Sequence, residues 1–203
     1  MVGNLVRLAI ELGLHHDPTT QTQTFSEDEC KLRIRLWATI MIHDRGTSIL
    51  LGRPLGISPP DSNTPRPTRT KNAQGYDFSE HFLLSAPVAD IQADIVNSLY
   101  SPTRQGQEAI LRSATRIIKS MVEFRKQLPE PYKYYFGGTE NWTMDERITL
   151  VKGITEDQGL TLLKIGIARI LLLRALFSSS ELTYQHRRRA LADGQFLSSS
   201  RPS

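Results

Sequence analysis

Hydrophobic residues recur at helical spacing along most of the chain, and this pattern predicts helices. At the amino end, steps of three and four place these residues on one side: Val2, Leu5, Val6, Ala9 and Leu12. Gly13 can end this first helix, and Pro18 prevents its continuation. No segment shows convincing alternation of polar and apolar residues, so we expect an all-α, irregular multi-helix fold.

The second predicted helix has signals at both ends. Ser26 and Glu29 have capping-box spacing, in which the hydroxyl accepts an amide hydrogen and the carboxylate reaches back. A helical stripe follows for about seven turns: Leu32, Ile34, Trp37, Ile40, Met41, Asp44, Ser48 and Leu51. Gly52 can take the left-handed cap conformation, and Pro54 prevents the helix from resuming.

The composition changes after the second helix, where prolines become frequent: Pro54, Pro59, Pro60, Pro65 and Pro67. Because proline breaks both helices and ladders, we predict a long proline-rich loop over about 53–76 that is laid partly across the helices. Later stripes predict a helix opening at Pro87, one ending before Pro129, and a central buried helix over 160–177. An irregular aromatic connector around Trp142 and a basic helix over about 181–197 complete the pattern.

The length and composition fit one soluble domain spanning 1–203. The single cysteine, Cys30, excludes an internal disulfide and a cysteine-based zinc site within this chain. The first residues already carry helical periodicity and lack a signal-peptide cleavage pattern. The segment after Glu181 runs into LSSSRPS without a clear stop signal, so we expect a domain truncated at both ends. The longest apolar run, 165–177, contains two arginines and is too short to span a bilayer, so no membrane partner is expected.

Positive charge is concentrated in the second half of the chain. Residues 1–100 hold 9 Lys/Arg and 11 Asp/Glu, a balance of −2. Residues 101–203 hold the remaining 16 and 10, a balance of +6, and the two together give the net charge of +4. The run His186-Arg187-Arg188-Arg189 contributes to this excess. Such a run can attract nucleic acid or act as an import signal, but a solvated helix face is the favoured interpretation.

Two His-Asp dipeptides suggest one catalytic alternative, a metal-dependent HD-type phosphohydrolase. His15 or His16, the pair His43-Asp44, and Asp90 or Asp94 could imitate the H…HD…D ligand pattern of that class. Arg45 would compete for the charge of Asp44, and so short a motif recurs by chance. The chain has no Gly-x-Ser-x-Gly elbow and no phosphate-cradling glycine loop. We therefore predict a protein that is not an enzyme.

A structural role explains the same stretch better. Asp44 lies on the helix face of Trp37, and a buried carboxylate there must be paired. Arg45 and Arg53 are the nearby candidates, the second carried back toward the helix end by the turn at Gly52. Our hypothesis is an ionic clasp that fixes the helix to the proline-rich loop.

The segments LAIELGLHHD at 8–17 and SEDECKLRIRLWATIMIHDRGTSILLGRPLGI at 26–57 resemble the fungal-specific transcription factor domain. This domain is the middle homology region of fungal zinc-binuclear-cluster transcription factors. Its signature falls here on Trp37, Asp44, Arg45, Gly52, Arg53 and Pro54.

The resemblance implies a nuclear regulatory domain that controls transcription by RNA polymerase II through contacts within the full-length factor or with coregulators. It implies no cofactor in this chain, because zinc belongs to a DNA-binding module that is missing here. DNA would be bound only through that module, and a homodimer is a possible assembly. An interaction domain without a transcriptional role is the remaining alternative.

Overall fold

The structure of the chain is a computed structural model that describes residues 2–21, 25–69, 71–72, 75–76, 79–101 and 105–193. These residues form eight α-helices: α1 Val2–Glu11, α2 Glu27–Leu51, α3 Glu80–Leu99, α4 Gln107–Gln127, α5 Glu130–Lys133, α6 Met144–Lys152, α7 Glu156–Ser178 and α8 Tyr184–Asp193. A 3-10 turn covers Pro59–Asp61, and two short strands, β1 Lys71–Asn72 and β2 Gly75–Tyr76, pair antiparallel. The prediction of an all-α fold is confirmed.

The chain forms two compact units, residues 1–97 and 98–203. In the first unit α1 packs on α2, and in the second α4 packs on α8. That residues 1–203 act together as one regulatory domain stays a prediction. No helix in the described ranges has the length and apolar character needed to cross a membrane.

The core of the first unit joins α1, α2 and the segment after α2. Its buried members are Val6, Ala9, Leu14, Trp37 and Ile57. Ile57 is only 2% exposed although it belongs to the proline-rich segment, so this segment is anchored in the core at one point. Removing apolar side chains from water is the main favourable contribution to such packing.

The ends of α2 follow the signals in the sequence. Ser26 accepts a hydrogen bond from the backbone N–H of Glu29 at 3.2 Å. At the other end Gly52 has φ 60° and ψ 35°, the left-handed conformation that glycine adopts without a steric penalty. The N–H of Arg53 then donates to the carbonyl of Ser48 at 2.9 Å, which satisfies a carbonyl at the helix end.

The prediction that a helix opens at Pro87 is wrong, because Pro87 lies inside α3. The helix begins at Glu80, and the hydroxyl of Ser79 accepts the N–H of Phe82 at 3.2 Å. The turns before the proline contain the half-buried apolar residues 82–84, and burying them favours a longer helix. Proline therefore removes one backbone hydrogen bond without ending the helix.

In the second unit, the connector predicted to be irregular contains α5 and α6. The helix α6 has no buried residue, although its sequence places Met144, Ile148 and Val151 at helical spacing. It is nevertheless marked by a capping box, in which Thr143 and Glu146 satisfy each other's backbone N–H groups. The sequence therefore contains both a start signal and an apolar spacing for α6.

The long helix α7 is buried on one face only. Its buried residues include Ile165, Ala168, Leu172 and Leu176. Leu163 and Ile170 are 60% and 65% exposed, so the prediction of a helix buried around most of its circumference is wrong. The predicted basic helix is present as α8, and its last predicted residues, 194–197, lie outside the described residues.

Candidate functional site

Asp44 and Arg45 form a buried ion pair on α2. The Arg45 Nη1 atom donates to Asp44 Oδ2 at 2.9 Å, and the two residues are 1% and 4% exposed. Taking both charges out of water is costly, and the pairing with additional hydrogen bonds offsets that cost. The structure therefore places the predicted partner Arg45 on the carboxylate.

The same carboxylate also binds the backbone of the proline-rich segment. The N–H of Gly56 donates to Asp44 Oδ1 at 3.0 Å, and the N–H of Ile57 donates to Asp44 Oδ2 at 3.3 Å. One turn further on, the Ser48 hydroxyl donates to the carbonyl of Pro54 at 3.2 Å. These three hydrogen bonds attach residues 54–57 to α2, and we call this arrangement the Asp44 clasp.

Arg53 is not a member of the clasp, contrary to our expectation. Its side chain is exposed and forms no ion pair with another described residue. The turn at Gly52 directs the backbone N–H of Arg53, rather than its guanidinium, to the helix end. The remaining positions on the Asp44 carboxylate are taken by the amides of Gly56 and Ile57. Pro54 takes part through its carbonyl alone.

Gly56 is a residue of the site that the sequence analysis missed. A Cβ atom at this position would lie 2.7 Å from Asp44 Oδ1, closer than real Cβ contacts allow. The segment can approach the buried carboxylate only because residue 56 has no side chain. The signal in the sequence was a second glycine four residues after Gly52, in a segment otherwise dominated by proline.

The surroundings of the Arg45 guanidinium have opposing effects on its pKa. Burial lowers the pKa of Arg45, while the carboxylates of Asp44 and Asp90 raise it. The Nε atom is buried and has no hydrogen-bond partner in the described part of the chain. Arginine remains protonated under such conditions, so Arg45 needs the Asp44 charge to stay buried.

Trp37 lies in the core beside a histidine of the segment between α1 and α2. The ring centroids of Trp37 and His15 are 6.2 Å apart, and those of His15 and His16 are 3.8 Å apart. Burial and the neighbouring His16 lower the pKa of His15, and Asp61 acts in the opposite direction. The buried Nδ1 atom of His15 has no hydrogen-bond partner among the residues that the structure describes.

The metal cluster considered for an HD-type phosphohydrolase does not assemble in the described part of the chain. His43 is exposed while Asp44 is buried, because neighbouring residues of a helix point in different directions. Both oxygens of Asp44 accept protein hydrogen bonds, and Asp90 pairs with Arg66. No group of three or more His, Cys, Asp or Glu side chains suited to a metal ion occurs among the described residues.

Comparison with known proteins gives a consistent set of relatives. The chain is 28% identical over 152 residues to the fusarisetin A cluster transcription factor of Fusarium sp. (strain FN080326), covering 75% of this chain and 18% of that protein. It is 32% identical over 100 residues to the equisetin cluster transcription factor of Fusarium heterosporum, covering 49% of this chain and 14% of the relative.

A third relative is a Zn(2)-C6 fungal-type transcription factor of Macrophomina phaseolina (strain MS6), 31% identical over 104 residues, covering 51% of this chain and 13% of the relative. The chain thus spans less than a fifth of the length of these three proteins. No solved structure matches it.

The family comparison covers nearly the whole chain. The family model of the fungal specific transcription factor domain matches residues 1–189, which include α1 to α7 and the whole Asp44 clasp. The chain therefore belongs to the fungal specific transcription factor domain family.

Proposed function

We propose that this chain is the regulatory domain of a fungal transcription factor and acts in the nucleus on transcription by RNA polymerase II. The observation that carries the proposal is the match of the family over residues 1–189. The relatives named as transcription factors support it. The domain would act through contacts with other regions of the full-length factor or with coregulators, and not through bond chemistry.

DNA binding is assigned in this proposal to a zinc-cluster module outside the chain. A cluster of this class holds its zinc ions through cysteines, and Cys30 is the one cysteine of the 203 residues. The domain itself would need no cofactor. A second copy of the chain is a further proposed partner, since two-fold symmetric dimers are the commonest soluble homo-oligomers.

A reporter assay in fungal cells tests the regulatory role. Residues 1–203 are fused to a heterologous DNA-binding domain that carries an activation domain, and output is compared with the same protein lacking 1–203. We expect the fusion to change reporter output, and an Asp44→Ala substitution to remove the change because it disrupts the clasp. Arg53→Ala, at an exposed position, should leave it intact.

The outcomes of this assay separate the alternatives. Unchanged output at equal nuclear protein levels contradicts the regulatory proposal and favours an interaction domain without a transcriptional role. Stoichiometric bound metal together with phosphohydrolase activity, both lost in His43→Ala, would instead identify an enzyme. A gel shift with the chain alone should show no specific DNA binding at physiological salt.

A further inference from the structure

The second unit contains an open groove between α4 and α8 with a volume of about 570 Å³. Four cationic side chains line it, Arg112, Arg116, Lys119 and Arg189, and its apolar lining includes Leu111 and Ala190. We propose that this groove binds an acidic, amphipathic peptide segment of a protein partner. This inference rests on the proposed function, because it names one surface through which the domain would make its protein contacts.

The groove is positively charged without local compensation. None of its lining residues is Asp or Glu. Helix α4 holds five Lys or Arg residues and two Glu residues, and Glu123 pairs with Lys126 outside the groove. Arg112, Lys119 and Arg189 are exposed and form no ion pair with another described residue. Carboxylates of a partner would therefore meet cations that are still available for pairing.

The basic run at 186–189 is divided by the fold rather than forming one continuous basic face. Arg187 is directed inward, where its Nη2 donates to the carbonyl of Ser179 at 2.9 Å and its guanidinium lies 5.8 Å from the Phe177 ring. His186 lies 2.9 Å from the Gln107 amide through its Nε2. Arg189 lines the groove, and Arg188 is exposed outside it.

The apolar part of the groove distinguishes a peptide from a nucleic acid. Among the described residues that line the groove there is no Phe, Tyr or Trp, and the ring of His186 is held by Gln107, so unpaired bases would find little stacking surface. Leu111 instead offers an aliphatic contact, next to Ala190 of α8, which is itself only 2% exposed. A segment with Leu on one side and Asp or Glu on the other complements both the apolar lining and the cationic rim.

Fluorescence anisotropy with a labelled synthetic peptide tests the proposal on the full chain. The probe is a helical peptide with leucines on one face and Asp and Glu on the other. Its controls are the same peptide with Asn and Gln in place of the acids, and a single-stranded DNA oligonucleotide. We expect binding of the acidic peptide that weakens with salt, and weaker binding of both controls.

Charge reversals locate the binding surface. Arg112→Glu combined with Arg189→Glu should weaken binding of the acidic peptide about tenfold or more. The matched control Arg188→Glu changes the same charge on an exposed neighbour and should have little effect. Circular dichroism and thermal unfolding of each variant verify that the folds are equal. If the double variant does not fold, Lys119→Glu alone provides the same comparison.

Two results would overturn the proposal: equal loss of binding in Arg188→Glu and the double variant, or tighter binding of the oligonucleotide than of the peptide. The reporter assay has a separate readout. If the fusion regulates transcription and the double variant regulates equally well, the groove proposal fails while the proposed function stands. If the fusion does not change reporter output although the peptide binds in the groove, the proposed function is contradicted and the groove proposal stands.

Discussion

The Asp44 Oδ1 atom accepts a hydrogen bond from the backbone N–H of Gly56 at 3.0 Å, across twelve residues of sequence. This bond connects the last two turns of α2 with the proline-rich segment that follows. Arg45 is buried beside this carboxylate, which therefore makes two kinds of interaction. It forms an ion pair with the guanidinium of Arg45, and it accepts hydrogen bonds from the backbone of the proline-rich segment. Substitutions that remove the ion pair and substitutions that disturb the backbone hydrogen bonds should therefore change the stability by different amounts.

Replacing Asp44 should be severely destabilising. Asp44→Ala leaves Arg45 buried without its counter-charge and leaves the amides of Gly56 and Ile57 without an acceptor. Breaking a buried pair on one side costs about 3–5 kcal/mol. We expect a loss of this size in the free energy of unfolding, measured by urea titration with circular dichroism.

Two controls accompany the Asp44 substitution. Arg53→Ala alters an exposed side chain and should change stability by no more than about 0.5 kcal/mol. The double variant Asp44→Leu/Arg45→Met removes both charges, and it should be more stable than Asp44→Ala alone. Equal losses of unfolding free energy in Asp44→Ala and Arg53→Ala would contradict the central role of the Asp44 carboxylate in the clasp.

A methyl group at residue 56 should also damage the clasp. The Cβ atom of Gly56→Ala would lie 2.7 Å from Asp44 Oδ1, and that oxygen cannot easily retreat because Asp44 is bound to Arg45. Overpacking of this kind costs about 1–3 kcal/mol. Gly46→Ala is the matched control, since a Cβ there meets nothing within 4 Å, and it should stabilise α2 by about 0.5–1 kcal/mol. Thermal unfolding of both variants checks the difference in sign.

The sequence predicted those parts of the site that depend on local chemistry. The N-cap at Ser26, the left-handed Gly52 and the Asp44–Arg45 pair all follow from neighbouring residues, and the structure has them. The second partner of Asp44 was misassigned to Arg53 because backbone amides are present at every residue and carry no signal. Only the fold determines that the amides of Gly56 and Ile57 reach the carboxylate.

Helix boundaries are predicted best where capping residues mark the ends of the helix. Pro87 is not a start signal here, since the half-buried apolar residues before it belong to a continuous α3. The prediction of an irregular connector did not include α6, although Thr143 and Glu146 form a capping box there and apolar residues follow at helical spacing. The groove between α4 and α8 combines residues more than sixty positions apart, so no local pattern could predict it.

The left-handed cap at Gly52 gives a third prediction. With φ at 60°, an alanine at this position would be strained by about 1–2 kcal/mol, although no neighbouring atom obstructs a Cβ. Gly52→Asn should cost less, because asparagine tolerates this conformation better than other residues. Unfolding free energies in the order Gly, Asn, Ala would verify the cap, and equal values for Asn and Ala would contradict it.

His15 should make the first unit sensitive to acid. Burial and His16 lower the pKa of His15 in the folded chain below its ordinary value of 6.5, while the unfolded chain keeps the ordinary value. The unfolded chain therefore binds more protons as the pH falls through about 6.5, and this contribution to stability is present above that pH and is lost below it. In His15→Gln the decline of Tm between about pH 7.5 and about pH 5 should be shallower than in the parent chain. An unchanged slope in His15→Gln would assign the acid sensitivity to another group.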